Sequence, residues 1–476
     1  MGRLSAVFVS LLLLHILCLQ SETYGDGITI LWYVRETRLI SHHLLYLPDL
    51  YLFTRPLVWL GLPERSAAFL FSAVCSSAGT AVLFHLLQSS RRLVPACRHP
   101  LLLAGLVALT PVLLYYGTQI ENHAHHYFWV CLLLLVLDRA LAAESVLGWS
   151  LAGLTLAAAY TSHSSSVLLM PALLVWIQWH RPPQLLRLPR AREIGFLLLF
   201  FLPPVLIRWI EPRIFALALD LDAEGSVDFT RQFVLGLLKL RSPETWARYL
   251  FQELFMPAFG IWIGALALIA ARQVPRPNLI LMGSALLPYV LVFGHWNVYE
   301  RGAYYVALLP LAAVLLGMMK PQRTLATFLL VLVLGQGVYA AWSVLSFERR
   351  STHSEEKWAR DAASIVGEGG IVICWSAFRG LALTMNHGTR HIAIDKYHEI
   401  IKQQSTVDPG GVQRFADEKL VPIFEQAMAE GPLYISREGM ESMERLYPVW
   451  AAKIRENFRL NPVRHGIFAG QRVTRK

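Results

Sequence analysis

The first polar segment of the chain holds a carboxylate that could act as a base. Asp26 stands between Gly25 and Gly27, shortly after an apolar N-terminal stretch. Glycines allow a backbone to approach a ligand closely, and an acidic side chain beside a membrane span is unusual enough to indicate a function. The alternative is a turn aspartate that only satisfies its own loop.

A second polar segment, 119–126, carries a carboxylate and three histidines. If it is helical, Glu121 and His125 are i,i+4 neighbours, and His123 and His126 are i,i+3 neighbours. These groups can ligate a divalent metal ion or bind phosphate. Glu121, His123, His125 and His126 are therefore metal candidates, and Glu121 and His125 also substrate-binding candidates. The spacing matches no established zinc signature, so a solvated polar cap is the alternative.

Three further histidines lie where apolar stretches meet polar residues. His42 and His43 are adjacent and cannot share a helix face, so at most one of them is functional, and His43 is the candidate for substrate binding. His163 lies among the hydroxyl residues of 161–166, where an interrupted helix would expose backbone groups to a cavity. The alternative for His163 is an ordinary, satisfied helix end.

The segment 294–305 offers a cation at the edge of an apolar stretch. Arg301 precedes Tyr304 by three residues, and both are candidates for substrate binding. A guanidinium at this level could clamp a lipid-borne phosphate through paired hydrogen bonds. An interfacial anchor, or an ion pair with a neighbour, is the alternative.

The elements that must position these residues are predicted to be membrane helices. Of the 476 residues, 55% are hydrophobic and 16% are charged, against about 25% charged in an ordinary soluble domain. The apolar residues fall in blocks of about 17–22, the length a helix needs to cross the hydrocarbon core. The net charge of +10 resides largely in short loops between these blocks, so it does not indicate a nucleic-acid partner.

About eleven spans are expected, which makes the first domain an all-α polytopic membrane domain over 1–346. The predicted spans are 4–20, 66–88, 101–117, 127–143, 147–161, 164–180, 194–210, 251–271, 278–294, 303–319 and 324–346. The two on either side of 161–166 are short, and the alternative is one interrupted helix there.

The loops divide into two sets by their charge. One set is rich in arginine and lysine, which places it in the cytoplasm, and it contains Arg91, Arg92, Arg98, Arg139, Arg181, Arg187, Arg190, Arg192, Arg272, Arg276, Lys320 and Arg323. The other set carries the candidate chemistry, and comprises 21–65, 117–126, 162–165, 211–250 and 294–302. With eleven spans, this second set and the C-terminus face the outside. No Asn-x-Ser/Thr sequon occurs, which favours a prokaryotic source and an inner-membrane location.

A small soluble α/β domain is predicted for 347–476. Short apolar runs at 371–375, 391–395 and 433–436 are typical of strands, and the patterns at 354–366, 411–429 and 437–458 are typical of helices. This domain contains no nucleotide-binding fingerprint, and an accessory role in acceptor binding or assembly is expected.

Together these features resemble the GT-C superfamily, membrane glycosyltransferases that use polyprenyl-phosphate sugars, and in particular its bacterial protein O-mannosyltransferase-like members. Gly25-Asp26 matches the Gly-Asp of the family's first loop, and His43 and Pro48 match its later His and Pro. Arg301, followed by Tyr304 and 308–310, is similar to the family's Arg-Tyr-Leu-Leu-Pro-like segment. Gly27 replaces the family's Ser, its loop Glu is missing, and Leu44 and Leu45 replace two prolines.

The resemblance implies transfer of a sugar from a polyprenyl-phosphate donor to a protein, lipid or glycan acceptor outside the membrane. Because the leaving phosphate needs charge stabilisation more than protonation, a single base would suffice, with inversion at the anomeric carbon. Asp26 is that base, Arg301 stabilises the phosphate, and Glu121, His125 and His43 position the donor or hold a divalent cation.

Two other functions remain open from the residues. A transporter or flippase of a lipid-linked or small polar substrate would explain interrupted spans and intramembrane histidines, although no internal repeat is found. A lipid-linked glycan polymerase or ligase would share the many spans and the large outer loops.

Overall fold

The structure is a computed structural model, and its contacts divide the chain into two compact units. The first unit is Met1–Gln20 with Tyr33–Arg349, and the second is Ser21–Trp32 with Arg350–Lys476. The described residues are 2–20, 23, 26–36, 43–94, 97–179, 191–218, 241–270, 276–296, 299–319, 323–348, 355–394 and 411–476. His42 and Gly25 lie outside them.

The first unit is helical throughout its described part. Its α-helices are α1 (Gly2–Leu17), α2 (Asp26–Arg35, which begins in the second unit), α3 (Tyr46–Trp59), α4 (Glu64–Ser89), α5 (Pro100–Ala108), α6 (Pro111–Tyr116), α7 (Asn122–Ala143), α8 (Val146–Ser162), α9 (Met170–Trp179), α10 (Ala191–Ala218), α11 (Pro243–Tyr249), α12 (Phe259–Ala270), α13 (Arg276–Trp296), α14 (Leu308–Met318) and α15 (Arg323–Ser343). Short 3-10 turns at Ser164–Leu169, Met256–Ala258 and Ala303–Tyr305 and π turns at Leu250–Phe255 and Val344–Glu348 interrupt or extend them.

Each predicted span falls on helix, and the protein is a multi-pass membrane protein. Among the described residues, six helices are long and apolar enough to cross a membrane: Glu64–Ser89, Asn122–Ala143, Glu193–Ile210, Pro243–Ala270, Asn278–Trp296 and Ala326–Ser346. Shorter apolar helices occupy Gly2–Leu17, Val146–Ser162, Ser164–Trp179 and Leu308–Met318. These helices overlap ten of the eleven predicted spans, all but 101–117, and the number that cross a membrane stays a prediction.

The predicted span 101–117 is two short helices rather than one. Helix α5 ends at Ala108, and Thr110 caps α6 by accepting a hydrogen bond from the Leu113 N–H at 3.3 Å. Pro111 at the first turn of α6 has no N–H to continue the helix of α5. A proline inside an apolar block thus marks a break that hydropathy alone overlooks.

A glycine at a close helix contact and one buried glutamine bring the membrane helices together. At Gly153 of α8, an added Cβ would lie 2.1 Å from the Leu199 carbonyl oxygen of α10, so only glycine permits this approach. Buried Gln336 of α15 accepts a hydrogen bond from the Gly260 N–H (2.8 Å) and donates one to the Leu106 carbonyl (2.9 Å). One amide therefore ties α15 to α12 and α5 inside an apolar core, where unsatisfied backbone groups are costly.

The second unit is an α/β domain around one five-stranded sheet. Its strands are β1 (Ile371–Cys374), β2 (Arg390–Ala393), β3 (Leu433–Ser436), β4 (Phe458–His465) and β5 (Phe468–Arg475), in the order β2-β1-β3-β5-β4. Its helices are α16 (Glu355–Val366), α17 (Ala377–His387), α18 (Gly411–Phe415), α19 (Val421–Glu430), α20 (Arg437–Leu446) and α21 (Pro448–Asn457), with a π turn at Ala416–Leu420.

The three strands predicted for this domain are present and form its parallel part, since β1 pairs in parallel with both β2 and β3. The prediction of one helix over 437–458 was wrong in detail, because Tyr447 and Pro448 separate α20 from α21. The β4–β5 hairpin was not predicted. Pro462 weakens the strand pattern of β4, but β4 is the edge strand, where proline is tolerated.

A short N-terminal segment packs with the C-terminal region. Ile28 is buried in a cluster with Trp358, Leu381 and Phe468. The backbone N–H and the hydroxyl of Thr23 both donate to Glu356 Oε1, at 3.2 and 2.6 Å. The predicted division at 346 did not anticipate that Ser21–Trp32 belongs to the second unit.

Candidate functional site

The candidate site of the first unit begins at the break after α8. Ser162 ends the helix, His163 is extended with φ −156°, and a 3-10 turn leads from Ser164 into α9. The His163 Nδ1 accepts a hydrogen bond from the Ser165 N–H at 3.1 Å, which caps the new turn. The segment is therefore an interruption with no loop, and it points an imidazole into the protein, where His163 is 7% exposed.

Three histidine rings surround His163. Its ring centroid lies 5.3 Å from His43, 5.3 Å from His123 and 5.1 Å from His126, with which it stacks. The ring of Tyr304 approaches His163 edge-on at 5.7 Å. We call these five residues the histidine cluster; they come from four separate polar segments of the chain.

Hydrogen bonds and ring contacts fix the members of the histidine cluster. Asn122 Nδ2 lies 2.7 and 3.0 Å from the two ring nitrogens of His43, and the His43 Nδ1 is 3.0 Å from the Ser162 carbonyl. His126 Nε2 bonds the Ser166 hydroxyl at 2.7 Å. Because α7 begins at Asn122, residues one turn apart, such as His123 and His126, share the face that meets His163.

Some hydrogen-bonding capacity in the cluster is met by no described residue. His123 Nδ1, Asn122 Oδ1 and Ser165 Oγ are buried without a partner among the described atoms. Buried polar atoms are normally hydrogen-bonded, so such atoms suit contact with a polar ligand. The cluster and its neighbours Asn122 and Ser165 therefore offer hydrogen-bonding atoms within an apolar helical unit.

His125 lies in a different network from its neighbours. Its Nε2 is 2.9 Å from Asp49 Oδ2 and its Nδ1 is 2.8 Å from the Ser162 hydroxyl, while the Trp129 indole N–H also reaches Nε2 at 2.9 Å. The side chain of Asp49 is partly exposed and that of His125 is buried. The hydroxyl of Ser162 contacts His125 and the carbonyl of Ser162 contacts His43, so Ser162 connects this network to the histidine cluster.

The helical pairing of Glu121 with His125 does not occur. Glu121 is the extended residue before α7, with φ −150°, so it precedes the helix face on which His125 lies. It influences Tyr46 and Tyr116 electrostatically. Sequence spacing placed the pair on one face because it assumed a helix that began a residue or more earlier.

The metal hypothesis gains no support from this arrangement. Within the described part of the chain, no group of three or more His, Cys, Asp or Glu side chains is placed to hold a metal ion. Of the four candidates, Glu121 precedes the helix, His125 engages Asp49, and His126 engages Ser166. These residues do not fit a shared metal centre.

Arg301 lies on a turn whose backbone is hydrogen-bonded to Glu253, a residue that was not predicted to belong to the site. The Glu253 carboxylate, 4% exposed, accepts hydrogen bonds from the backbone N–H groups of Glu300 (2.9 Å), Arg301 (3.2 Å) and Gly302 (2.8 Å). The exposed Arg301 side chain places its guanidinium carbon 4.8 Å from the centre of the Tyr115 ring. Tyr304 donates from its hydroxyl to Glu300 Oε1 (3.0 Å) and stacks on Phe293.

Sequence reasoning missed Glu253, Asp49 and Asn122. A signal for Glu253 existed, because it is an acidic residue inside a predicted apolar span, and such residues are rare and commonly functional. Asp49 and Asn122 gave no such signal, since single polar residues at the start of helices are common. Their importance arises from partners far away in the chain, His125 and His43.

Asp26, the predicted base, is the first residue of α2 and belongs to the second unit. Its side chain is accessible to solvent. The protein around it nevertheless removes part of the water, and this desolvation raises the pKa of the carboxyl above its ordinary value. A raised pKa makes the carboxylate a stronger base.

Known proteins point to one superfamily. A family model described as dolichyl-phosphate-mannose-protein mannosyltransferase matches residues 60–208. Among solved structures, the chain is similar to ArnT from Cupriavidus metallidurans bound to undecaprenyl phosphate, a GT-C glycosyltransferase. The TM-score is 0.63 at 11% identity, over 98% of this chain and 97% of that chain. No curated protein sequence matches. Both comparisons agree with the resemblance to the GT-C superfamily noted in the sequence; the family model covers residues 60–208 only, and at 11% identity the structural likeness concerns the fold.

Proposed function

For a chain with the fold of a GT-C glycosyltransferase, we propose transfer of a sugar from a polyprenyl-phosphate donor to an acceptor hydroxyl on the extracytoplasmic face of the membrane. The family model is described by a dolichyl-phosphate-linked mannose donor, and the similar structure holds undecaprenyl phosphate. Both are consistent with a lipid-linked donor here. The sugar and the acceptor, whether protein, lipid or glycan, are left open.

The observation that carries this proposal is the histidine cluster. Its members come from polar segments that the charge pattern assigns to the outside, and the other four rings each lie within 6 Å of His163 by the centroid distances given above. Imidazole, amide and hydroxyl groups can form hydrogen bonds with the hydroxyls of a sugar, each of which both donates and accepts. We propose that His43 and Tyr304, whose rings both contact His163, bind the donor sugar.

Arg301 is proposed to bind the donor phosphate. It is exposed, always charged, and presented by a turn whose backbone Glu253 holds. A guanidinium can pair with two phosphate oxygens, and it stabilises the charge that grows on them as the sugar leaves. Glu121 is proposed to contribute a charge at the start of α7, and His125 to contribute through its hydrogen bond with the Ser162 hydroxyl.

The proposed reaction needs one base. The acceptor oxygen attacks the anomeric carbon, the bond from that carbon to the phosphate oxygen breaks, and the acceptor proton passes to the Asp26 carboxylate. The products are the glycosylated acceptor, with inverted configuration, and the polyprenyl phosphate. No step is assigned to a metal ion, because the candidate ligands do not converge.

The test is a transfer assay on membranes that contain the full chain. Radiolabelled polyprenyl-phosphate sugars are added, and the labelled product is identified. We expect the wild type to label an acceptor and Asp26→Asn to lose this labelling while still inserting in the membrane, because the amide cannot take the proton. Asp417→Asn, at an exposed ion pair with Lys453, is the matched control and should transfer normally.

Two results would contradict the proposal. Near wild-type transfer by Asp26→Asn would remove Asp26 as the base. Absence of transfer with every sugar donor, together with saturable uptake of a lipid-linked substrate into vesicles, would favour the transporter over the transferase.

A further inference from the structure

A buried carboxylate inside an apolar helix is the feature that the proposed reaction leaves unexplained. Glu253 lies in Pro243–Ala270, a helix long and apolar enough to cross a membrane. It occupies the π turn Leu250–Phe255, an irregularity that is common at functional sites. A charge in such a place is costly unless its oxygens are bonded, and here both oxygens accept from backbone N–H groups.

The partners of Glu253 are three consecutive N–H groups of one tight turn. Successive N–H groups in a turn form a concavity that binds anions. The turn at Glu300, Arg301 and Gly302 has this form, and the Glu253 carboxylate fills it. The carbonyl of Glu300 is fixed from the other side by the Tyr116 hydroxyl at 2.7 Å.

The backbone of this turn is strained. Arg301 has φ +51° and Gly302 has φ +81°, so two successive residues are left-handed. Glycine accepts that conformation readily, but arginine does so only at a cost in energy. An added Cβ at Gly302 would also lie 2.6 Å from Pro257. Charge-assisted hydrogen bonds from all three N–H groups offset the strain, and without them Arg301 would relax to another backbone conformation.

On the basis of the proposed function, we propose that Glu253 is a positioning residue that holds Arg301 in the conformation that binds the donor phosphate. The carboxylate acts through the turn. The direction of the guanidinium depends on the φ of Arg301, and the Tyr115 ring supports it in that direction. An arginine on a strained turn is preorganised, so binding the phosphate orders little of the chain.

The first test is a double-mutant cycle in the transfer assay with the full chain. Glu253→Gln retains the size of the side chain but replaces one acceptor oxygen by an amide that donates. We expect it to lower kcat/KM for the lipid-linked donor by about 10- to 100-fold, the effect of misplacing a substrate-positioning group. Arg301→Ala should lower it by a similar factor, and the double variant should be no worse than Arg301→Ala. Glu244→Gln, at an exposed pair with Arg248, is the matched control and should match the wild type.

The second test needs no turnover. In the purified full chain, trypsin cleavage between Arg301 and Gly302 reports on the freedom of the turn, and mass spectrometry identifies the peptide that ends at Arg301. We expect slow cleavage in the wild type and in Glu244→Gln, and faster cleavage in Glu253→Gln. Cleavage as slow in Glu253→Gln as in the wild type overturns the proposal.

The two tests separate this inference from the proposed function. If the wild type transfers sugar and the losses from Glu253→Gln and Arg301→Ala multiply, Glu253 does not act through Arg301 and the inference fails while the function stands. If no donor supports transfer, the function fails, and the role of Glu253 in binding donor phosphate fails with it; the cleavage test then decides only whether Glu253 holds the turn.

Discussion

At the residue scale, the local environment of Asp26 makes a prediction about pH. Desolvation raises the pKa of this carboxyl above its ordinary value of about 3.9. A base works only when ionised, so transfer should be lost as the pH falls through the raised pKa. The acid limb of kcat/KM against pH should therefore lie above the ordinary aspartate range.

The raised pKa of Asp26 also predicts the direction in which the stability of the folded protein changes with pH. A carboxyl whose pKa is higher in the folded than in the unfolded protein binds its proton more tightly when folded. Its contribution to stability is complete below the unfolded pKa and is lost as the pH rises through the folded pKa. Asp26→Asn should remove this loss of stability.

An acid limb of kcat/KM at the ordinary aspartate pKa would contradict the assignment of Asp26 as base.

His163 is the residue on which the histidine cluster centres, and its replacement tests the cluster. His163→Phe keeps a ring of similar size but removes the nitrogen that caps the following 3-10 turn and could meet a ligand. We expect sugar transfer to fall about tenfold or more, since a lost buried hydrogen bond costs roughly 1–3 kcal/mol.

The matched control is His387→Phe, at an exposed position of the soluble domain. It should transfer sugar at the wild-type rate. Unchanged transfer by His163→Phe, with the protein folded as judged by its thermal unfolding midpoint, would show that the cluster has no part in the reaction.

At the scale of elements, the apolar pattern located the helices but not the contacts that hold them together. Gln336 looks like a single polar residue in the predicted span 324–346, and nothing near it in the sequence reveals its two bonds to Gly260 and Leu106. Its role depends on residues 76 and 230 positions away. By hydropathy alone, a glutamine in a membrane span is unfavourable. In the folded protein, its two hydrogen bonds connect three helices.

Gln336→Leu should therefore destabilise the membrane unit although it makes α15 more apolar. It leaves a buried N–H and a buried carbonyl without partners, and membrane interhelical hydrogen bonds are worth about 0.6–2 kcal/mol each. We expect a lower thermal unfolding midpoint in detergent. Gln178→Leu, at an exposed position of α9, is the control and should not lower it. An unchanged midpoint for Gln336→Leu would mean that the hydrogen bonds of Gln336 do not stabilise the membrane unit.

At the scale of the whole molecule, the charge pattern of the loops makes a prediction about sides of the membrane. The arginine-rich loops are expected in the cytoplasm, and the soluble domain with the candidate chemistry outside. A single cysteine at an exposed position of each can test this. Glu368→Cys lies in the soluble domain, and Ala143→Cys lies beside Arg139 at the end of α7.

We expect an impermeant maleimide added to intact cells to label Glu368→Cys, and to label Ala143→Cys only after the membrane is opened. The native cysteines Cys18, Cys75, Cys131 and Cys374 are buried, whereas Cys97 is partly exposed, so both cysteines are introduced into Cys97→Ala to keep the background low. Labelling of Ala143→Cys alone from outside would reverse the topology and move the proposed reaction to the cytoplasmic face, and labelling of both from outside would contradict the assignment of the two regions to opposite sides.

The sequence by itself determined the class of molecule. Apolar blocks of span length, loops of opposite charge character and three short strand patterns in the C-terminal region are local properties, and the helices and parallel strands follow them. The short motifs around Asp26 and Arg301 were enough to indicate the GT-C superfamily. The helices and the parallel strands could be predicted because each depends on neighbours within about one element, while the sides of the membrane on which the loops lie stay a prediction.

Only the tertiary structure decided which polar residues act together. It selected His43, His123, His126 and His163 for one cluster and turned His125 toward Asp49. It also placed Glu253 beneath the turn of Arg301, and Ser21–Trp32 with the C-terminal region. Each of these outcomes depends on the rotation of a helix or on residues far apart in the chain. The energy that fixes them comes from burial and hydrogen bonds between elements, which local sequence patterns do not record.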